Sequence, residues 1–141
     1  MAVIATWNLE NLFRPGGDFG PKAKAVYDAK LAGLASVIEA IGPDVLAVEE
    51  VGDPDASGDL VDRLEGAWHA DTSSVFESGH PIRVGFLSRV QITDAEDISA
   101  FAPGVAPVKI EDDGTTPQCP AAHGACAYAS TVSTSTLWPA I

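Results

Sequence analysis

The sequence predicts an α/β domain in which helices lie over a parallel or mixed sheet. Three stretches predict it. Ala2–Trp7 is a short apolar run rich in β-branched and aromatic residues, which reads as a buried strand. Lys22–Ile41 carries a single apolar stripe at helical spacing. Asp44–Val51 is apolar on both alternating faces, with Val45 and Ala47 on one and Leu46 and Val48 on the other. A strand of that kind is covered from both sides, as in layered α/β proteins. Strand, helix and strand with short connections make a βαβ-like unit.

The elements follow in order. The first strand runs into a polar cluster of Asn8, Glu10 and Asn11. Arg14–Pro21 (RPGGDFGP) is too dense in Gly and Pro to be anything but a loop. In Lys22–Ile41 the residues Tyr27, Leu31, Leu34, Ile38 and Ile41 recur every three or four positions. Gly42-Pro43 ends that helix, because Gly suits the left-handed C-terminal position and Pro cannot continue the ladder. The next strand, Asp44–Val51, closes on Glu49 and Glu50. Pro54–Gly58 reads as a turn. Asp59–Ala67, with Leu60, Val61 and Leu64, reads as a short second helix capped by Ser57 or Asp55. Thr72–Val75 is a brief strand and Ile82–Ser88 (IRVGFLS) a stronger one. Val108–Ile110 is a further candidate, ending in the acidic segment Glu111–Gly114, where Asp112 and Asp113 form a hairpin turn with Gly114.

Composition narrows the function classes. A chain of 141 residues is one modest domain, long enough to bury a core. Asp and Glu number 20 against 8 Lys and Arg, for a net charge of −12. That balance disfavours tight duplex binding, which relies on cationic side chains displacing counterions. It leaves room for an enzyme that meets phosphate through a bound cation, since the ion is then the largest local charge. No segment is long and apolar enough to span a bilayer. No basic stretch followed by an apolar run marks a signal peptide, so a cytoplasmic product is the default expectation.

Cys119, His123 and Cys126 form C-x3-H-x2-C. The pattern lacks the two paired ligand clusters of a zinc site, and a disulfide or two free thiols is the plainer reading. From Gly114 to Ile141 there is no Lys, Arg, Asp or Glu. That stretch has neither helical nor strand periodicity. A shifted reading frame and a disordered tail both account for it. The expected organisation is therefore a partial domain over 1–114 and a poorly ordered low-complexity or frame-shifted tail over 115–141.

The order W-N-L-E-N-L, a helix, P-D-V-L-A-V-E-E-V and then I-R-V-G-F-L-S-R resembles the N-terminal half of the endonuclease/exonuclease/phosphatase superfamily. Pancreatic deoxyribonuclease, abasic-site endonucleases, sphingomyelinases and inositol-phosphate phosphatases belong there. The resemblance covers Ala2–Arg89, and more loosely extends to about Gly114. It implies the N-terminal part of a four-layer α/β/β/α sandwich of two mixed sheets with helices outside. It also implies cleavage of a phosphodiester or phosphomonoester by an activated water, dependent on Mg²⁺ or Mn²⁺. Asn8 matches the asparagine of the family's first strand, which helps hold metal and phosphate. Glu50 matches the glutamate of the Q-E-V motif, the main metal ligand. Both are therefore the catalytic and metal-binding candidates. Glu49 stands where Gln is usual.

Physical chemistry agrees with those roles. Mg²⁺ takes hard oxygen ligands and keeps several waters, so one or two carboxylates seat it. A neutral carboxamide at Asn8 orients a phosphate oxygen without repelling it. Strand alternation separates Glu49 from Glu50, so that only one faces the cleft, and the motif favours Glu50. The other polar residues have duller readings. Glu10 and Asn11 orient the loop, His69 and His80 are surface histidines, and Arg83 forms a salt bridge, with a phosphate contact as the alternative.

The resemblance also implies motifs that this chain lacks. An Asp-x-Asn and a terminal Asp-His handle the water, the leaving group and the phosphate clamp in the family. Here Asn occurs only at positions 8 and 11, and no histidine follows His123. Little activity and weak metal binding are expected, since general acid–base catalysis alone is typically worth about 10²–10⁴-fold. One rival reading is a non-catalytic interaction module whose exposed sheet face is covered by a partner chain. Another is a small intact enzyme in which His123 supplies a missing group. The phosphoester substrate and the oligomeric state are not legible.

Overall fold

Parallel pairing of two apolar strands sets the frame. A computed structural model describes residues 1–74 and 81–98, together with the backbone of 127–132. The elements are β1 (Ile4–Leu12), α1 (Lys24–Ile41), β2 (Val45–Val51), α2 (Pro54–Val61), β3 (His69–Thr72), β4 (Arg83–Ser88), β5 (Ile92–Ile98) and β6 (Ala127–Val132). A four-stranded sheet runs in the order β1-β2-β4-β3. Its β1–β2 pair is parallel and its β2–β4 and β3–β4 pairs are antiparallel. A second, two-stranded antiparallel sheet is formed by β5 and β6. The fold is thus mixed α/β, as the sequence predicts.

Register decides which side chains share a face. Ala5, Leu46 and Leu87 lie abreast, and Trp7 lies beside Val48. That face packs under α1 and α2, where Leu9, Tyr27, Leu31, Leu34, Ile38, Leu46, Val48, Leu60 and Leu87 form one buried cluster. Each fully buried Leu or Val contributes about 1.5–3 kcal/mol relative to exposure. Ile4, Val45 and Ser88, then Thr6, Ala47 and Phe86, line the opposite face. Ile4 on that face is largely exposed.

The helix α1 matches its predicted stripe except at Ile41, which is half exposed. Gly42 closes it in the left-handed conformation (φ +62°) with its N–H on the Ile38 carbonyl at 2.8 Å. The second helix both begins and ends earlier than predicted, running from Pro54 to Val61 instead of Asp59 to Ala67. Pro54 occupies its first turn, where a missing N–H costs nothing, and the Asp53 carboxylate accepts the Asp55 N–H. The residues expected to form a turn are therefore helical, and the cap is Asp53 instead of Ser57 or Asp55.

The brief strand lies at His69–Thr72; of the expected Thr72–Val75, Ser73 and Ser74 lie beyond it and Val75 falls outside the described residues. Gly85 permits this strand, because a Cβ there would sit 2.5 Å from the Asp71 carbonyl oxygen. Two strands were not predicted. The acid-rich sequence of β5 hides its alternation. β6 lies within the charge-free segment. The candidate strand 108–110 and the 111–114 turn fall outside the described residues, as do His80, Cys119, His123 and Cys126.

A polar clamp ties the loop after β1 to both helices. Arg14 donates from Nε and Nη2 to the two Asp59 oxygens, each at 2.6 Å, and from Nη1 to Asp55 at 2.8 Å. The Tyr27 hydroxyl donates to Asp59 at 2.8 Å. The Arg14 hydrogen bonds and, after the opposing effect of burial, that of Tyr27 hold the Asp59 carboxyl below the usual carboxylate range. Burial and the neighbouring Asp59 push the Tyr27 phenol up. Deeper inside, the Ser57 Oγ is buried without a hydrogen-bond partner.

Two stability outcomes follow from these contacts. Asp59→Asn is expected to cost about 1–2 kcal/mol at neutral pH, allowing for partial exposure. Because the folded Asp59 titrates below its unfolded value of about 4, that difference is complete above about pH 4 and is lost as acid reaches the lowered folded value. Urea midpoints of both proteins at pH 7 and pH 3 check it. Ser57→Ala removes an unsatisfied hydroxyl and improves helix propensity, so a stabilisation of up to about 1 kcal/mol is expected in the same assay.

Candidate functional site

The C-terminal ends of β1 and β2 carry the predicted polar residues, and regular pairing breaks down there. Asn8 is opposite Glu49, yet the next paired residues are Leu12 and Val51. β1 therefore bulges around Leu9–Asn11. Against β4, pairing passes from Val48–Gly85 to Val51–Arg83, so β2 carries one extra residue as well. Three non-glycine residues at this end adopt left-handed backbone: Glu10 (φ +52°), Asn11 (φ +58°) and Glu50 (φ +59°). Asn tolerates this conformation better than most residues, whereas each Glu is held there at a cost of about 1 kcal/mol or more.

This irregular backbone brings the two candidates together. The Asn8 carboxamide donates from Nδ2 to Glu50 Oε1 at 2.8 Å. Its own Oδ1 accepts the Glu10 N–H at 2.8 Å. The second Glu50 oxygen accepts the Asn11 N–H at 3.1 Å. One donor is a side chain and the other a backbone amide displayed by the bulge. A carboxylate held through both oxygens has a fixed orientation, and each oxygen keeps lone pairs toward the opposite side.

Alternation alone places Glu49 and Glu50 on opposite faces of β2. The structure corrects that expectation. Thr6 and Asn8 share one face of β1, and Glu49 Oε1 contacts Thr6 Oγ1 at 3.4 Å while Glu50 bonds Asn8. The extra β2 residue and the positive φ of Glu50 turn its side chain back toward the face that Glu49 already occupies.

Gly52 supports the same end of the sheet. A Cβ at this position would lie 2.2 Å from the Phe13 ring. Its N–H donates to the Leu12 carbonyl at 2.9 Å, and its carbonyl accepts from Arg83 Nη1 at 2.7 Å. Arg83 also donates to the Pro81 carbonyl at 3.2 Å. Burial lowers its pKa, opposed by the charge of Asp53. His69 is placed elsewhere. It pairs with Ser88, and Ser88 with Val45, at the far end of the sheet from Glu50.

Sequence reasoning missed Lys30. Its ammonium, carried by α1, donates to the carbonyls of both left-handed β1 residues, Glu10 and Asn11, the latter at 3.4 Å. Burial lowers its pKa, while Glu10 and Glu50 act the other way. The only hint in the sequence is a lysine directly beside Leu31 of the apolar stripe, where it borders the buried face.

Two clefts among the described residues lie away from this site. A cleft of about 500 Å³ is lined by Arg14, Tyr27, Asp28, Asp59 and Arg63, where Arg14 pairs with Asp59 and Arg63 with Asp28. A cleft of about 420 Å³ is lined by Ser57, Asp71, Ser73, Ser74 and Arg83. Neither is lined by Asn8 or Glu50, which form an open edge.

Known proteins resolve the family. The model of the endonuclease/exonuclease/phosphatase family matches residues 5–140. The chain belongs to that family. The match runs past the residues that carry the motifs and through the charge-free segment containing β6. Comparison with curated proteins gives no match. Endonuclease/exonuclease/phosphatase membership places the chain in a superfamily of phosphoesterase- and nuclease-type hydrolases that generally use divalent metals. No helix among the described residues is long and apolar enough to cross a membrane.

A divalent ion of the kind the family generally uses would need hard oxygen donors. Among the described residues no group of three His, Cys, Asp or Glu side chains is gathered for one. Glu50 nonetheless offers carboxylate oxygens and Asn8 a carboxamide oxygen, both hard donors on an open edge. They fit a cation that keeps most of its own water and asks the protein for one or two ligands.

Asn8→Asp probes the pairing directly. It replaces the donor facing Glu50 with a second carboxylate, and the two repel while both are ionised. The variant is expected to lose about 1 kcal/mol at pH 7, with the loss shrinking as acid protonates one of the pair. Denaturant titrations at pH 7 and pH 4 measure the difference.

Proposed function

We propose that Glu50 and Asn8 seat a hydrated Mg²⁺ or Mn²⁺ beside a phosphoester, and that this chain turns over slowly or not at all. The observation that supports this reading is the convergence of the Asn8 carboxamide and the Asn11 N–H on the two oxygens of one carboxylate. When bound, such an ion polarises the phosphoryl oxygen and offsets charge on the leaving oxygen. Glu50 is the anionic ligand, held in orientation by its two donors. Asn8 contributes a neutral group that tolerates a phosphate oxygen close by.

Water activation is the weak step. The chain carries neither the Asp-x-Asn that positions the water and the leaving group in the family nor the terminal Asp-His that completes its base. Loss of a general base removes about 10²–10⁴-fold. The net charge of −12 favours a small phosphoester over a duplex, because the backbone of the latter needs cationic contacts.

Mn²⁺ titration followed by electron paramagnetic resonance tests the site. Glu50→Ala is expected to abolish the wild-type binding, and Asn8→Ala to weaken it by about tenfold, as for other residues that orient a ligand. Unchanged affinity in Glu50→Ala would sink the assignment. Hydrolysis of a generic phosphodiester with Mg²⁺ should be near background. Robust turnover that vanishes in Glu50→Ala would keep the site and overturn the low-activity reading.

A further inference from the structure

Lys30 contacts the site without being part of its donor set. It lies on α1 and reaches across to β1, bonding to the carbonyls of Glu10 and Asn11. Those residues are the two consecutive left-handed positions of the bulge. β1 has no ladder partner from β2 between Asn8 and Leu12, so this backbone must find its hydrogen bonds elsewhere. The Asn11 carbonyl also accepts the Phe13 N–H at 3.0 Å. The Glu10 carbonyl takes the ammonium. The described ion pairs use Arg14, Lys24, Arg63 and Arg89 as cations, and Lys30 is not among them. A half-buried ammonium directed at backbone oxygens, with acid nearby, is placed to hold a conformation.

We propose that Lys30 is a positioning residue: its ammonium pins the Glu10–Asn11 bulge to α1 and thereby keeps the Asn11 N–H and the Asn8 carboxamide on the Glu50 carboxylate. The chain of contacts is continuous. Lys30 fixes the two carbonyls, and the peptide units they belong to set the directions of neighbouring N–H groups. The Glu10 N–H locks Asn8 Oδ1, the Asn11 N–H meets Glu50 Oε2, and Asn8 Nδ2 meets Glu50 Oε1. The metal-related part of this inference rests on the function proposed above; the structural part does not.

A charge role and a latch role make opposite predictions. Removing a positive charge near a carboxylate strengthens its hold on a cation. Loosening the frame that orients the carboxylate weakens it. Lys30→Met keeps most of the apolar stem and removes the donors. In the metal-free protein, amide-proton exchange at Asn11 is expected to accelerate about tenfold, with the Asn8 side-chain amide resonances moving toward free-amide values. Lys30→Arg, which can still donate to both carbonyls, should restore much of the protection. Lys24→Met, on an exposed part of the same helix, should leave it unchanged.

In the Mn²⁺ titration, Lys30→Met is expected to weaken binding about three- to tenfold. Unchanged exchange at Asn11, or tighter Mn²⁺ binding in Lys30→Met, would overturn the latch. Circular dichroism establishes that α1 is intact in each variant. If Lys30→Met unfolds, Lys30→Gln takes its place with the same two readouts and the same deciding outcomes. If the wild type binds no Mn²⁺, the metal reading fails, and the exchange measurement still decides the role of Lys30.

Discussion

The orientation of one carboxylate depends on backbone that ordinary strands do not adopt. Glu50 receives two donors from the neighbouring strand, and neither would reach it from a regular parallel ladder. β1 must bulge so that the Asn11 amide turns toward β2. β2 must add a residue and turn left-handed at Glu50 itself. The site is therefore a product of paired irregularity in two adjacent strands. Such bulges re-aim side chains at sheet ends, and strained backbone is sustained only where its surroundings over-determine it.

Those surroundings are identifiable. Leu9 and Leu12 flank the two strained residues of β1, and Val51 follows the strained residue of β2. All three are essentially inaccessible to solvent. Their burial contributes about 1.5–3 kcal/mol each, enough to offset a cost of about 1–2 kcal/mol for each left-handed residue. The apolar anchors fix both ends of each irregular segment, and the polar residues between them have few conformations left. Gly52 completes the frame, because the Phe13 ring fills the space where any side chain would stand.

The framework was legible because it rests on periodicity. The helix stripe from Tyr27 to Ile38, the two-sided apolarity of Val45–Val48 and the Gly42 stop each follow from one local rule, and each appears where that rule puts it. The second helix was misread because Pro54 and Gly58 look like turn residues, although Pro is at home in a first helical turn when a residue such as Asp53 caps it. β5 was missed because Asp94, Glu96 and Asp97 lower the apolar contrast that marks a strand. Asp97 instead bonds Ser73 and Ser74, and these bonds hold its carboxyl below the usual range against the effect of burial.

The candidate site was legible as residue types and not as geometry. Motif order singled out Asn8 and Glu50, and the structure brings their side chains into contact. Alternation gave the wrong relation between Glu49 and Glu50, because a period of two assumes unbroken extended strand, whereas β2 bulges between Val48 and Val51 and Glu50 itself is left-handed. Lys30 was invisible for a related reason. Its significance comes from carbonyls freed by a bulge twenty residues away in sequence, and no local pattern records where a distant backbone has lost its partners. Polar function in this fold arises where the repeating hydrogen-bond pattern stops, so it is encoded by exceptions to the rules that make the rest of the chain readable.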